Sequence, residues 1–414
     1  MIGEIVAVGT ELLLGDILNT NAQYLSRRLA DMGIFIYHQS VIGDNGERVR
    51  QELDLAFRRS DIVITTGGLG PTKDDLTKEI AAEYFGKKMV LHKESLELIE
   101  GYFRRQNKEI SENNKKQAYF PEGSIILPNN HGTAPGCIIN GNGKTLVLLP
   151  GPPKENIPMF EDYVVPYLQK FNEYTLISKT LKICGMGESS VATKIGHIID
   201  NQSNPTVAPY AKENEVTLRI TAKAKTKGEG YALIDPIEKE IRHILGDNVY
   251  GIDEDSLESV IGKMLIDNNL TIAISESCTG GLLCGRLVNY PGISEVLIEG
   301  AVTYSNNAKM RRLGVRPETL NYFGAVSEQT AAEMAQGIAR TSGAAIGIST
   351  TGIAGPGGGS TEKPVGLVYI GLYINGKIYV EKLNLAGNRQ SIRARTVTIA
   401  LDFLRRKLIS EYRG

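Results

Sequence analysis

The chain has 414 residues, 42% of them apolar and 22% charged, a balance that is typical of folded globular proteins and excludes a largely disordered chain. The chain is too long to fold around a single hydrophobic core of ordinary size, and we predict three domains. The 46 basic and 47 acidic residues nearly cancel, so no overall field favours nucleic acid or an anionic membrane. No apolar run approaches the roughly 20 residues that span a bilayer. We therefore expect a cytoplasmic protein without a membrane partner.

The first region, residues 1–170, alternates short apolar strands with amphipathic helices, as expected of a parallel sheet with helices on its faces. The predicted strands are Ile2–Val8, Ile34–Ile42 and Ile62–Thr66, and the predicted helices are Asn21–Met32, Glu47–Arg59 and one that opens after Thr72 and stops at Gly86. The turn sequence NGNG at residues 140–143 lies between two apolar runs and indicates a hairpin.

The stretch TTGGLGPTKDD follows the third of these strands. Gly67, Gly68 and Gly70 would let the backbone approach a phosphate, between Thr66 at the strand end and Thr72 at the next helix. Two carboxylates follow, and one of them is explained by the helix dipole alone. A pair beside a glycine turn also suits a metal-bridged phosphate site, formed by Asp74 and Asp75.

Two further loops of this region carry polar residues after strands, at the edge where open α/β sheets bind ligands. The loop after the first strand offers Thr10, Glu11 and Asn19, and the loop after the second offers Asp44. The glycine spacing fits neither GxGxxG nor GxxxxGK[ST], so a Rossmann dinucleotide site and a Walker A loop are both excluded.

The second region, residues 174–249, breaks this rhythm and is predicted to be a small α+β unit. Its predicted strands are Thr175–Ile183 and Glu215–Ala222, with helices after Gly187 and Gly230. The third region, residues 255–414, returns to βα alternation. Its predicted elements are a strand at Thr271–Ser275, a helix from Gly280, a strand at Ser294–Tyr304, a helix at Glu328–Thr341, a strand at Ala345–Thr350 and a long helix from about Arg389.

The four cysteines form no CxxC pair and are spread over all three regions. They are Cys137, Cys184, Cys278 and Cys284. This pattern predicts reduced thiols, and it indicates neither a disulfide framework nor a zinc cluster.

The stretch SESCTGG places hydroxyls and two glycines where a strand ends and a helix begins. Backbone N–H groups at a helix start, with Gly280 and Gly281 allowing close approach beside Thr279, can bind a phosphate or an oxyanion. A serine or threonine before a helix can equally be a simple N-cap. The motif alone leaves both interpretations open.

The positions of the histidines favour a catalytic role for this motif over a simple helix cap. All five lie before residue 244, so a serine nucleophile in the third region would have no imidazole of its own domain as base. A Ser-Lys or a Ser-Tyr-Lys arrangement is the natural substitute. The next strand supplies Tyr304 and, just beyond it, Lys309, which parallel strands would bring to the same edge as Ser277. A desolvated lysine can have a lowered pKa and accept the serine proton.

A third loop, STTGIAGPGGG at residues 349–359, suits a phosphate or ribose cradle that includes Thr351, Gly352 and Gly355. On the last helix, Arg393 or Arg395 is a candidate phosphate partner, although this helix is basic enough to be a solvated face.

The third region closely resembles the CinA-like family, whose carboxy-terminal domain is a nicotinamide mononucleotide deamidase. The matching stretches are ESCTGG, VTYSNNAK, GAVSEQTA and TGIAGPGGG. The resemblance implies hydrolysis of nicotinamide mononucleotide to nicotinate mononucleotide and ammonia without a cofactor. It implies Ser277 as nucleophile, Lys309 as general base and Tyr304 as an assisting hydroxyl. The alternative is that Thr279 attacks and Ser277 only caps the helix.

The first region resembles the molybdenum-cofactor-biosynthesis-like domain of the same family, through GTELLLGD, TTGGLGPTKDD, NNHGTAPG and LPGPPKE. This implies a metal-dependent ADP-ribose pyrophosphatase, with a divalent ion held by Asp44, Asp74 or Asp75. Pterin or nucleotide binding without hydrolysis is the alternative.

The resemblance implies a KH-like fold for the middle unit. Because its GMGE turn lacks the basic residues of an RNA-binding loop, we expect a spacer or dimer-forming module and not a nucleic-acid binder. The expected protein is thus an α/β chain with two βα-sandwich domains, the first molybdopterin-binding-like and the second CinA deamidase-like. We expect it to form a homodimer that acts on small nucleotides. A non-catalytic, nucleotide-sensing competence or damage-response factor is the rival from another class.

Overall fold

The computed structural model describes residues 1–107, 109–171, 174–212 and 214–412. By its internal contacts the chain divides into two compact units. One comprises Met1–Ser178 with Ala222–Leu233, and the other comprises Lys179–Thr221 with Ile234–Gly414. Within the described residues, no helix is both long and apolar enough to cross a membrane.

The first unit is built on a six-stranded sheet in the order β2-β1-β3-β8-β7-β6, with a separate two-stranded pair, β4 and β5. The strands are β1 (Ile2–Val8), β2 (Phe35–Ile42), β3 (Ile62–Thr66), β4 (Met89–Leu91), β5 (Tyr119–Pro121), β6 (Ile125–Leu127), β7 (Gly136–Gly141) and β8 (Lys144–Leu149). The helices are α1 (Thr10–Leu14), α2 (Thr20–Asp31), α3 (Gly46–Arg59), α4 (Thr77–Tyr84), α5 (Lys93–Arg105), α6 (Glu112–Lys115), α7 (Pro153–Met159) and α8 (Val165–Gln169).

In this sheet, the strands that precede the predicted ligand-binding loops are parallel. β1 pairs in parallel with β2 and β3, and β3 pairs in parallel with β8, so the loops after these strands share one edge. Successive residues of β3 face opposite sides of the sheet, with Ile62 and Ile64 in one buried cluster and Val63 in another. The predicted hairpin is confirmed as the antiparallel pair β7 and β8.

The middle module forms a four-stranded sheet in the order β10-β11-β9-β12. Its elements are β9 (Thr175–Ile183), α9 (Glu188–Lys194), α10 (Gly196–Asp200), β10 (Thr206–Lys212), β11 (Glu215–Ala224), α11 (Lys227–Leu245) and β12 (Val249–Ile252). The sequence analysis found neither β10 nor β12, because β10 lies between turn signals and β12 has only four residues.

The last region has a five-stranded sheet in the order β14-β13-β15-β16-β17. Its strands are β13 (Ile272–Glu276), β14 (Leu297–Val302), β15 (Ile346–Gly352), β16 (Leu367–Ile374) and β17 (Lys377–Asn384). Its helices are α12 (Leu257–Asp267), α13 (Leu282–Val288), α14 (Asn306–Ala308), α15 (Pro317–Phe323), α16 (Glu328–Ser342) and α17 (Arg389–Tyr412). β14, β13 and β15 are parallel, which places the loops after them together.

One hairpin was missed, and two predicted helices begin later than expected. The antiparallel hairpin of β16 and β17 was missed, because its strands follow a glycine-rich loop and not a helix. The helix expected after Thr72 begins only at Thr77, since the intervening residues form a turn closed by a hydrogen bond from Thr72 N–H to Asp75. The helix expected from Gly280 begins at Leu282, because Gly280 and Gly281 both have positive φ angles.

Candidate active sites

Ser277 and Lys309 meet at the carboxyl edge of the last sheet. Ser277 is the first residue after β13, and Lys309 directly follows α14, beyond the parallel neighbour β14. The Lys309 ammonium donates hydrogen bonds to Ser277 Oγ at 3.0 Å, to the Thr303 carbonyl at 2.8 Å and to the Tyr304 carbonyl at 3.1 Å. The two carbonyls therefore hold the amine against the serine hydroxyl.

Lys309 is only 1% exposed. Burial penalises the charged ammonium and lowers the pKa of Lys309 to about 8. A substantial fraction of this amine is consequently neutral near physiological pH, and a neutral amine can accept a proton from a neighbouring hydroxyl.

Glu276 occupies the helix start that the sequence analysis assigned to a ligand. Its buried carboxylate accepts hydrogen bonds from the backbone N–H groups of Gly281 at 2.9 Å, Leu283 at 3.1 Å and Cys284 at 2.8 Å. The prediction of free N–H groups at Gly281 is therefore wrong, because a residue of the same motif already neutralises them. It follows that Glu276, and not Ser277, caps this helix.

Thr279 is a poor rival nucleophile. Its side chain is fully buried, and its hydroxyl shares a 2.6 Å hydrogen bond with the hydroxyl of Thr350. Its carbonyl accepts a 2.7 Å hydrogen bond from Arg393. Thr351 is also buried, and its hydroxyl donates to the Ala325 carbonyl at 2.6 Å. The predicted contacts of Thr279 and Thr351 with a ligand would thus have to come from their backbones, or from a shift of these hydroxyls.

Arg389 is a site residue that the sequence analysis missed. Its guanidinium donates to the Gly355 carbonyl at 2.8 Å and to the hydroxyl of Tyr304 at 3.3 Å. Tyr304 is 61% exposed. Gly352 ends β15, and a side chain larger than that of glycine at this position would clash with Val368. Arg389 therefore connects the loop after β14 with the loop after β15, the two strands that flank β13 in the sheet. No local sequence motif predicts this contact, because it depends on where α17 packs.

The glycine loop of the first unit lies in a cleft of about 410 Å³. Gly67 has a φ of 105°, and a Cβ there would lie 2.0 Å from the Val8 carbonyl oxygen. Only glycine fits this approach. Gly68, Gly70 and Thr72 line the same cleft, so the structure brings these predicted ligand-binding residues together.

Five carboxylates line this cleft. They are Glu11, Asp44, Asp74, Asp75 and Glu155. Two of them are held by threonines: Thr10 donates its N–H and its hydroxyl to Asp44 at 2.9 Å, and Thr72 donates to Asp75. A hydrogen bond from Thr72 also holds the pKa of Asp74 below its usual value.

No preformed metal cage results from these acids. Among the described residues, no three histidine, cysteine or acidic side chains are grouped so as to hold a metal ion. The three predicted ligands Asp44, Asp74 and Asp75 share a cleft but do not converge on one point. Carboxylate oxygen is nonetheless the ligand that Mg²⁺ prefers, and Mg²⁺ is commonly held by one or two carboxylates together with water and substrate phosphates. The donor set fits a cation of that kind.

Thr66 and Asn19 have structural contacts. The buried Thr66 hydroxyl accepts hydrogen bonds from Asn21 at 2.8 Å and from Asn156 at 3.0 Å, so it anchors the surrounding loops. The Asn19 side chain caps α2 by accepting from the Ala22 N–H at 3.1 Å. Thr66 stays a predicted ligand-binding residue, but its hydroxyl is already occupied by two side-chain amides.

Nearly the whole chain is similar in sequence to known proteins. It is 70% identical over 409 residues to a protein named competence-damage inducible protein in Clostridium tetani, covering 99% of this chain and 100% of that one. It is 59% identical over 409 residues to a CinA-like protein of Kosmotoga olearia, covering 99% of each chain. The chain belongs to the CinA family.

Three family models divide this CinA family member. The model described as a probable molybdopterin binding domain matches residues 4–170, that of the damage-inducible protein CinA KH domain matches 178–251, and that of the CinA C-terminal domain matches 254–408. The fold class predicted from the sequence is confirmed. Among solved structures, the competence/damage inducible protein CihA of Agrobacterium tumefaciens is 42% identical to this chain. The match covers 37% of this chain and 96% of that one, with a TM-score of 0.35.

Proposed function

We propose that this CinA family member hydrolyses two nucleotides, deamidating nicotinamide mononucleotide in its last domain and cleaving ADP-ribose in its first. The observation that carries the first activity is the 3.0 Å contact between Ser277 and a buried, pKa-lowered Lys309. A lysine placed against a serine and removed from water has the geometry of a Ser-Lys nucleophile and base.

In the deamidation, neutral Lys309 takes the proton of the Ser277 hydroxyl as Oγ attacks the carboxamide carbon. The tetrahedral intermediate collapses, the C–N bond breaks, and the proton on Lys309 passes to the departing nitrogen, which leaves as ammonia. Water then attacks the resulting ester, Lys309 takes its proton, and Ser277 leaves as an alkoxide that recovers this proton. Nicotinate mononucleotide is released, and no metal is needed.

The arginines around the serine supply charge for a substrate phosphate. Arg389 bridges Tyr304 and Gly355, and Arg393 contacts the loop after Ser277. Guanidinium groups bind phosphate through paired, charge-assisted hydrogen bonds. The buried Nε atom of Arg393 makes no hydrogen bond to the described residues, which leaves it donor capacity.

ADP-ribose hydrolysis is assigned to the carboxylate-lined cleft of the first domain. The backbone of Gly67, Gly68 and Gly70 would face the pyrophosphate, and Asp44, Asp74 and Asp75 would hold a divalent ion. When bound, that ion would neutralise the phosphates and polarise water. The threonines fix their carboxylates: Thr10 orients Asp44, and Thr72 orients Asp75.

The name of the Clostridium tetani relative refers to competence and damage induction, which motivates a second candidate. This candidate is a competence or damage-response factor that binds nucleotides without changing them. Incubating the purified chain with nicotinamide mononucleotide and ADP-ribose in parallel, with and without a chelator, separates the two. We expect ammonia from the first and AMP from the second, with only AMP release lost to the chelator. Binding of both nucleotides without turnover would establish the second candidate.

A further inference from the structure

A further cavity lies away from both proposed active sites. It has a volume of about 730 Å³ and is lined by the middle module on one side and by β17 and α17 of the last domain on the other. All its lining residues belong to one compact unit. A nucleoside monophosphate is smaller than this volume, so the cavity can enclose a ligand of that size.

A cation with neutral partners faces this cavity. Arg395 donates from Nε to the Asn214 side-chain oxygen at 3.0 Å and from Nη1 to the Ala386 carbonyl at 3.2 Å. Other arginines of the same helix pair with a carboxylate: Arg405 and Arg406 both donate to Asp402. Among the residues that the structure describes, the hydrogen-bond partners of Arg395 are thus dipoles without charge, which leaves its guanidinium suited to an anion.

The side formed by β17 and α17 also carries apolar side chains. Leu383, Ile399 and Phe403 line the cavity and pack against the core of the last domain. Beside them, Glu381 is half-buried, and this burial raises the pKa of its carboxyl. A carboxyl in such a setting is best satisfied by a ligand N–H or O–H donor.

We propose that this cavity is a third nucleotide-sized site, which binds a small organic phosphate with a heteroaromatic body. The phosphate lies at Arg395, the ring system lies on Phe403 and Leu383, and a ring donor reaches Glu381. This site goes beyond the proposed hydrolytic function and does not depend on it, because none of these residues lies at Ser277 or in the cleft of the first domain.

The test uses hydrogen exchange of the full chain with three probes: AMP, adenosine and inorganic phosphate. AMP at millimolar concentration should protect the backbone of residues 184–188, 214–216 and 395–403, and adenosine should do so only at about tenfold higher concentration, since it lacks the anion. Phosphate alone should leave these segments unprotected, because it lacks the apolar body.

Two variants make the result specific. Arg395→Gln should reduce the affinity for AMP to that for adenosine, and Lys382→Gln, which removes a charge from β17 outside the cavity, should leave it unchanged. Arg395→Lys should retain part of the preference for AMP. The proposal is overturned if AMP protects only the segments around Gly67 and Ser277, if adenosine protects as well as AMP, or if Arg395→Gln binds AMP as the parent does. Thermal unfolding of each variant checks that the fold is intact.

Discussion

The Lys309 ammonium lies 3.0 Å from the Ser277 hydroxyl, although 32 residues separate the two in the chain. Parallel pairing of β13 and β14 brings the two loops together, and the Thr303 and Tyr304 carbonyls fix the amine in place. The contact satisfies the hydrogen-bonding needs of a buried lysine without a carboxylate. Its consequences for rate, pH dependence and stability are separately measurable.

Removing either partner should abolish deamidation. We expect Ser277→Ala and Lys309→Met each to lower kcat for ammonia release from nicotinamide mononucleotide by at least about a thousandfold, with a smaller change in KM. The double variant should lose little more than either single one, because the two groups act as a unit. Ser410→Ala and Lys382→Met are matched controls. Near-parental activity of Ser277→Ala would remove it as the nucleophile.

The pH dependence of deamidation should follow Lys309. The base is active when neutral, so kcat/KM should rise with pH and level off above about 8, the pKa of this amine. Below that value the rate should fall about tenfold per pH unit. Initial rates between pH 6 and 9.5 measure this. A rate independent of pH over this range would contradict the assignment.

Lys309 should also make stability depend on pH. Its folded pKa of about 8 lies below the ordinary value of 10.5, so between these values the unfolded chain binds more protons than the native one, and stability rises with pH. Relative to Lys309→Met, the parent should gain about 2 kcal/mol between pH 7 and 9.5. Urea unfolding at several pH values measures this difference. A constant gap between the two proteins would show that the amine keeps its ordinary pKa.

Glu276→Gln should disturb the loop that carries Ser277. The substitution replaces one carboxylate oxygen by an NH₂ group facing backbone N–H donors, so we expect a loss of about 1–3 kcal/mol in the free energy of unfolding. Because Ser277 is the adjacent residue, kcat should fall more than KM changes. The exposed Glu295→Gln is the matched control. Unchanged unfolding and kcat would show that the three N–H groups need no anion.

ADP-ribose hydrolysis should depend on the carboxylates that the threonines hold. Asp44→Asn and Asp75→Asn are each expected to lower AMP release by at least about tenfold, while leaving ammonia release from nicotinamide mononucleotide unchanged. Asp54→Asn, on the exposed side of α3, is the control. Anion-exchange chromatography of the products measures both. Parental rates in both variants would place the pyrophosphatase site elsewhere.

The sequence alone predicted the parallel strands that carry both sites. Apolar periodicity and glycine positions identified β1, β3, β13 and β15, and the absence of histidine after residue 243 directed attention to Lys309. These features are local, or can be counted along the chain, and the residue types themselves limit the chemistry. The hairpin of β16 and β17 was not predicted, because it follows a glycine-rich loop and interrupts the alternation of strands and helices.

Only the tertiary structure decided which polar groups are free. Glu276 takes the helix N–H groups, Thr66 and Thr279 are buried in internal hydrogen bonds, and Arg389 reaches across to Tyr304. In each of these hydrogen bonds, the partner's position depends on how a turn folds or on where a distant element packs. The motif itself does not predict either. A hydroxyl or an N–H group has the same chemistry in the sequence whether it is paired or not, and its partner is determined only when the chain packs.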